Sequence, residues 1–358
     1  MRKNVLSDEE RTAILAIGAK LNSRKNLEDL LEEIQLKICS YLNAEAASIF
    51  VYNEVDNIMN FLSLTGEASQ AIKTIQVPMS SIAGTVFLSE KAKIVNDIAA
   101  YSGHFKGTDK KSGFVTKNLM AIPLKTEKVY GVLEIVNKRE DLFTEFDLEA
   151  ADLITQLIGF KLSMEYERNR LAEQMKAMIE SVSRAIDLRD NYTHRHSKNV
   201  ASLSKKIGGI YGLNNQQLKE IEIAALLHDL GKIGITDSVL QKPGVLTQNE
   251  YEIIKQHPKI GKQILEGSTV ISEAIVRGIA EHHEKLDGSG YPNGLKGDAI
   301  HLYAKIIAIA DIFDAMSNKR VYKEPMGLEQ VLVIMDSMVP ETLDKNLVSI
   351  LKKVVNDG

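Results

Sequence analysis

Two adjacent histidines, His282 and His283, lead into a loop punctuated by glycine and proline, Asp287-Gly-Ser-Gly-Tyr-Pro292. Such a loop cannot continue a helix, so the imidazoles are expected at the end of an element, beside flexible backbone. His228 and Asp229 form a second pair of this kind upstream, in Leu-Leu-His-Asp-Leu-Gly-Lys. Imidazole and carboxylate ligands together suit divalent ions such as Mn, Fe and Zn. The two pairs therefore predict a metal site that leaves room for a further ligand.

Three more residues extend this pattern. His196 stands in Tyr-Thr-His-Arg-His-Ser, His257 in Gln-His-Pro, and Asp311 in Ile-Ala-Asp-Ile-Phe-Asp. With these phrases the second half of the chain resembles the HD-GYP family, metal-dependent phosphodiesterases that act on cyclic di-GMP. One histidine alone is more often a satisfied polar or core residue than a ligand, and a bare His-Asp pair is a weak motif. Five histidines and two aspartates in the family's order favour a metal site over that alternative.

The resemblance implies two ions side by side, with Asp229 shared because its two oxygens can each bind a different ion. One ion would take His196, His228, Asp229 and Asp311, and the other would take Asp229, His257, His282 and His283. Some family members hold a third ion with a carboxylate one turn before the first histidine. Tyr192 stands at that place, and Asp187 lies further back, so a third ion stays open. The resemblance favours iron or manganese.

Two ions about 3.5–4 Å apart can deprotonate a bridging water and clamp a phosphodiester for in-line attack. The predicted activity is hydrolysis of cyclic di-GMP to pGpG, GMP or both by that bridging hydroxide. Asp229 and Lys232 are the predicted catalytic residues, since the matching lysine of the family contacts phosphate. Substrate binding is expected from Lys232, Tyr291, Arg320 and Lys323.

Other interpretations stay open. The glycines of the Gly-Tyr-Pro loop could serve only the backbone, and Arg320 and Lys323 could be solvated surface charges. A non-catalytic cyclic-dinucleotide receptor or signalling scaffold would bind without hydrolysis. An HD phosphohydrolase could act on a related cyclic dinucleotide. The complete ligand set favours hydrolysis, but it does not separate one cyclic dinucleotide from another.

The first half alternates helical and strand-like patterns. Leucines and isoleucines recur at helical spacing from Leu27 to Ile38, and strands are expected near 47–52, 75–77, 118–123 and 130–136. This mixture predicts an α+β domain with a central antiparallel sheet. The phrases at 118–124 and 131–138 resemble a GAF domain, a module that senses small ligands. Asn137 and Lys138 match a sequence pattern found in the members of this family that bind cyclic nucleotides. Alternatively, they only organise a strand-to-loop corner. Leu148 replaces an expected glutamate, so the ligand is unknown.

A continuous helical pattern follows from about Asp147 to Asp190, with an apolar stripe that includes Met164, Leu171 and Met178. So narrow a stripe is typical of a helix that pairs with another helix. We predict a connecting helix that also makes a homodimer. The alternative is two ordinary core helices that meet near Gly159.

Length, charge and composition bear on the number of domains, the binding partners and the compartment of the protein. A chain of 358 residues exceeds the usual size of one core, and a net charge of −4 argues against binding duplex nucleic acid. The single cysteine, Cys39, and a polar start without the pattern of a secretory signal indicate a reducing cytoplasm. No apolar run approaches the ~20 residues of a membrane-spanning helix.

The predicted fold is therefore multidomain. Residues 1–165 are expected to form the α+β GAF-like sensor domain, including the start of the connecting helix. Residues 166–358 are expected to form an all-α HD-type domain that carries the metal-dependent phosphohydrolase site.

Overall fold

The computed structural model describes residues 27–65, 72–190, 195–317 and 326–356. The chain divides into two compact units, Met1–Leu171 and Ala172–Gly358. Among the described helices, none is both long enough and apolar enough to cross a bilayer.

The first unit is built on an antiparallel sheet. Its described strands are β1 (Ala44–Asn53), β2 (Ile58–Leu64), β3 (Val77–Pro78), β4 (Lys93–Val95), β5 (Leu119–Lys125) and β6 (Val129–Lys138). They lie in the order β3-β2-β1-β6-β5-β4, and every neighbouring pair is antiparallel. The unit also contains α1 (Leu27–Leu42), α2 (Ile82–Ser89), α3 (Gly107–Ser112) and the first part of α4 (Glu145–Arg189). The predicted α+β domain with a central antiparallel sheet is confirmed.

Both faces of this sheet are covered because its central strands alternate apolar side chains on either side. Leu133 and Ile135 of β6 join the core formed with α1 and the start of α4. Val132, one residue away, joins a separate core with Phe50 and with residues of α2. The sequence pattern did not predict β2 or the short β4.

The corner after β6 is held by the two residues that match the cyclic-nucleotide-binding pattern. Asn137 accepts a hydrogen bond from the Lys117 backbone N–H and donates to the carbonyl oxygen of Val115. The ammonium group of Lys138 lies 2.8 Å from both carboxylate oxygens of Asp147. Both side chains therefore organise this corner, as the structural alternative expected.

Helix α4 is one continuous helix from Glu145 to Arg189, not two helices that meet near Gly159. A Cβ atom at Gly159 would lie 2.8 Å from the backbone nitrogen of Lys125 in β5. Glycine therefore allows the helix to pack directly against the end of β5, and it does not interrupt the helix.

The described part of the second unit is helical. Its elements are the rest of α4, α5 (His196–Tyr211), α6 (Asn215–Leu226), α7 (Asp237–Leu240), α8 (Gln248–Ile254), α9 (His257–Leu265), α10 (Glu273–Glu281), α11 (Leu302–Ser317), α12 (Leu328–Ser337), α13 (Lys345–Asn356) and two short 3-10 turns, Leu230–Gly234 and Gly297–Ala299. The all-α fold predicted for this half is confirmed. The segment 248–265 forms the two helices α8 and α9, and Pro258 lies in the first turn of α9, where its missing N–H costs no hydrogen bond.

Candidate metal centre

The seven predicted metal ligands come together where several helices of the second unit begin or end. His196 begins α5, and His257 begins α9. His228 and Asp229 follow α6, His282 and His283 follow α10, and Asp311 lies within α11. Five of the seven are buried, whereas His283 and Asp311 are partly exposed. The cluster is therefore accessible from the side of these two residues.

A close approach of backbone to backbone sets one edge of the cluster. A Cβ atom at Gly231 would overlap the carbonyl oxygen of His257 and lie 2.6 Å from the nitrogen of Gly261. The 3-10 turn that follows Asp229 can therefore pack on the start of α9 only without a side chain at Gly231. This glycine of the Leu-Gly-Lys phrase brings Asp229 to His257.

Asp229 lies between two groups of histidines. Its Oδ2 atom is 3.2 Å from Nε2 of His228 and 4.0 Å from Nε2 of His196. Its Oδ1 atom is 3.3 Å from Nε2 of His257. The two oxygens thus face different histidines, which is the arrangement a shared carboxylate needs.

Backbone carbonyl groups orient three of the imidazoles. A carbonyl oxygen can only accept, so the bonded Nδ1 atom carries a proton, and Nε2 offers its lone pair whenever the ring is neutral. The pairs are His228 with Ala225 at 2.8 Å, His257 with Ile254 at 2.8 Å, and His282 with Ile279 at 2.7 Å. Contacts of this kind fix the tautomer and ring orientation of metal-binding histidines.

His196 is oriented differently, by a carboxylate that the sequence interpretation did not assign. Its Nδ1 atom lies 2.7 Å from Oδ2 of Asp314, and its Nε2 atom lies 3.3 Å from Oδ1 of Asp311. The two aspartates are three residues apart on α11, so they share one face of the helix. This spacing within Asp-Ile-Phe-Asp was the available signal.

Protonation differs between the two parts of the cluster. Burial lowers the pKa of His257 to about 4 and that of His283 to about 3, and it holds the pKa of His282 well below its usual range. Burial alone would also lower the pKa of His196, but hydrogen bonds to Asp311 and Asp314 outweigh it and raise the pKa to about 10. His196 therefore holds a proton beside the carboxylates, while His257, His282 and His283 are neutral. Burial opposes protonation of His228 as well, but the neighbouring carboxylates of Asp229 and Asp311 outweigh it and raise its pKa.

The donor atoms fit divalent ions. Within the described residues, three groups have ligand atoms within 4.8 Å of one another: His257, His282 and His283; His196, His228 and Asp311; and His228, Asp229 and His282. Ligands about 2.1 Å from one ion lie about 3 Å apart, close to the separations of Asp229 from His228 and His257. The site could therefore hold metal ions.

Two of the predicted substrate-contacting residues adjoin this cluster. The ammonium group of Lys232 is buried, 2.7 Å from Oδ2 of Asp229, and it also contacts Asp190. The ring of Tyr291 lies 4.7 Å from that of His283 between centroids. Arg320 and Lys323, like Tyr192, lie outside the described residues. Asp187 receives hydrogen bonds from the backbone and hydroxyl of Ser197, so it supports the start of α5.

Comparison with known families gives two matches along the chain. A family model described as a GAF domain matches residues 24–163, and one described as an HD domain matches residues 180–347. The predicted GAF and HD domains are thereby confirmed.

Several curated proteins are similar to part of this chain. The cyclic di-GMP phosphodiesterase response regulator RpfG of Xanthomonas campestris is 39% identical over 184 residues, which are 51% of this chain and 49% of that protein. A cyclic di-GMP phosphodiesterase of Thermotoga maritima is 44% identical over 162 residues, 45% of this chain and 44% of that protein. The 3'3'-cGAMP-specific phosphodiesterase 2 of Vibrio cholerae is 34% identical over 221 residues, 58% of this chain and 42% of that protein. The matches thus span less than half the length of each of these relatives.

Proposed function

We propose that this chain, which joins a GAF domain to an HD domain, is a metal-dependent phosphodiesterase that hydrolyses cyclic di-GMP to pGpG, GMP or both. One observation carries the proposal: Asp229 lies between two groups of oriented histidines, with Lys232 beside it. The predicted ligand set is His196, His228, Asp229, His257, His282, His283 and Asp311. Iron and manganese are the favoured ions, two in number, with a third open.

Bound ions would supply an activated water and polarise the phosphodiester. Around them, the residues of this chain would hold and orient the substrate. Lys232 offers an ammonium group to phosphate oxygens, where charge grows during attack. Tyr291, packed beside His283, offers a ring at the accessible side of the site for a guanine base. Arg320 and Lys323 are proposed to contact phosphate.

The names of the relatives favour cyclic dinucleotides as the substrate class. Two of them are named for cyclic di-GMP, and the Vibrio cholerae protein is named for 3'3'-cGAMP. A mixed cyclic dinucleotide is therefore the second candidate substrate. Both contain the same phosphodiester linkages, so Lys232 and the ligand set serve either one, and the base contacts would discriminate.

The test is turnover by anaerobically purified protein, loaded with iron or manganese and assayed by chromatography with each cyclic dinucleotide. We expect cyclic di-GMP to be converted faster than 3'3'-cGAMP. The control is Asp229→Asn, which keeps the shape of the shared carboxylate and removes its charge. Binding of cyclic di-GMP without turnover by the fully loaded native chain would favour the receptor alternative, and faster 3'3'-cGAMP cleavage would favour the second substrate.

The GAF domain is proposed to regulate this activity by binding a small ligand. It contains a cavity of about 490 Å³ whose lining includes the acidic residues Glu45, Asp109 and Glu134, the basic residues His104 and Arg139, and several apolar and aromatic side chains. Such walls suit a small ligand with an apolar body and polar groups of both kinds.

Helix α4 is proposed to form a homodimer contact. It leaves Leu171, Met175, Met178 and Val182 exposed, spaced by four, three and four residues. This is the spacing of a coiled-coil seam, which a second copy of the helix can cover.

A further inference from the structure

We propose that Arg189 and Asp190, at the end of helix α4, are positioning residues for Lys232. The inference rests on the proposed function, because it is the predicted contact between Lys232 and phosphate that they would control. Neither residue belongs to the predicted metal or substrate set. Both act through Lys232, one on its backbone and the other on its ammonium group.

Arg189 holds the backbone around Lys232. Its guanidinium group donates to the carbonyl oxygens of Lys232, Ile233 and Ile235 at 2.9, 3.0 and 2.6 Å, and to Oδ1 of Asp237 at 2.9 Å. Lys232 and Ile233 belong to the 3-10 turn Leu230–Gly234, and Ile235 follows it; the carbonyl oxygen of Lys232 also accepts a hydrogen bond from the Ile235 backbone N–H at 3.0 Å. The planar guanidinium group presents five N–H donors in a fixed geometry, so one side chain can bind several of these carbonyl oxygens at once.

Asp190 holds the ammonium end of the Lys232 side chain. Its Oδ2 atom contacts the ammonium group of Lys232, which also lies 2.7 Å from Oδ2 of Asp229. Asp229 is part of the metal-ligand groups, whereas Asp190 is in none of those found among the described residues. Asp190 is therefore the carboxylate that can stay with the ammonium group when Asp229 is engaged by ions.

Arg189 and Asp190 lie at the end of helix α4, so their contacts with Lys232 offer a route for regulation through this helix. Helix α4 begins at Glu145, inside the segment matched as a GAF domain, and ends at Arg189. The carbonyl oxygen of Arg189 also accepts a hydrogen bond from the side chain of Gln241 at 3.0 Å. Any displacement of this helix end must carry Lys232 along or break these hydrogen bonds. A signal transmitted by α4 would thus reach the phosphate-contacting lysine directly.

The first experiment needs no substrate. The full chain is treated with a small acylating reagent, and modification of each lysine is followed by mass spectrometry. We expect Arg189→Gln and Asp190→Asn each to raise the acylation rate of Lys232 about fivefold or more, because local opening exposes its buried amine. Exposed lysines such as Lys206 are the internal reference, and Arg184→Gln, five residues earlier on α4, is the matched control. An unchanged Lys232 rate in both variants would overturn the proposal.

The second experiment is a double-mutant cycle for turnover of cyclic di-GMP. If Arg189 acts through Lys232, Arg189→Gln lowers kcat/KM about tenfold in the native background but less than about twofold in Lys232→Ala. An equal loss in both backgrounds would mean that Arg189 only stabilises the fold, and would contradict positioning. Absence of turnover in the native chain would count against the proposed function, while the acylation result would still decide the role of Arg189 and Asp190.

Discussion

Oδ2 of Asp314 lies 2.7 Å from Nδ1 of His196, and both side chains are buried. His228, His257 and His282 instead direct Nδ1 to backbone carbonyl groups. His196 is thus the one of these four that a carboxylate orients, and a charged partner makes its imidazole more basic than a carbonyl group would. One turn of α11 supplies both a predicted ligand, Asp311, and the group that orients another.

Asp314→Asn should weaken metal binding without unfolding the domain. Loss of an orienting carboxylate next to a metal-binding histidine typically costs 10–100-fold in affinity, so we expect a decrease of about that size. Competition with a chelator of known affinity measures it, and Asp298→Asn, an exposed carboxylate on the same unit, is the control. Equal affinities for Asp314→Asn and the native chain would contradict a role of Asp314 in orienting His196 for metal binding.

Metal affinity should rise with pH because of the same histidine. The pKa of His196 is raised to about 10, so below that pH an ion must displace its proton. The pKa values of His257 and His283 are about 4 and about 3, so these residues release no proton near neutrality. We expect the affinity at the His196 site to increase at least about tenfold per pH unit between pH 6 and 8, because the raised pKa of His228 adds to the proton release. Chelator competition across this range, with proton release followed by a dye, checks the slope; a flat profile would contradict it.

The sequence predicted seven candidate ligands, which the structure brings together, but not the groups that orient them. His228 and Asp229, or His282 and His283, stand in recognisable local phrases, and metal chemistry restricts the residue types. The contacts of Asp314 and Asp190 depend instead on how α11, α4 and the 3-10 turn pack, which no local phrase encodes. For the same reason β4 was missed: only three residues long, it is a strand because it pairs with β5.

Gly231→Ala should damage both stability and the metal centre. The added methyl group would overlap the carbonyl oxygen of His257, and backbone cannot move aside as a side chain can. We expect the free energy of unfolding to fall by about 3 kcal/mol, near the upper end for overpacking, together with weaker metal binding. Gly209→Ala is the matched control, because nothing lies near a Cβ there and alanine should stabilise α5 by about 0.5–1 kcal/mol. Denaturant unfolding compares them, and equal stabilities would contradict the close approach.

Met178→Glu should dissociate the proposed homodimer. Met178 and Leu171 are exposed on α4 seven residues apart, so a parallel second copy would bury both in its seam. A carboxylate placed there loses water without gaining a partner, and we expect the dimer dissociation constant to rise about 100-fold or more. Sedimentation equilibrium of the full chain measures it, with Glu173→Gln, a polar change on the same helix, as the control. The contact would be excluded by a native chain that stays monomeric at every concentration, or by a Met178→Glu dimer as tight as the native one.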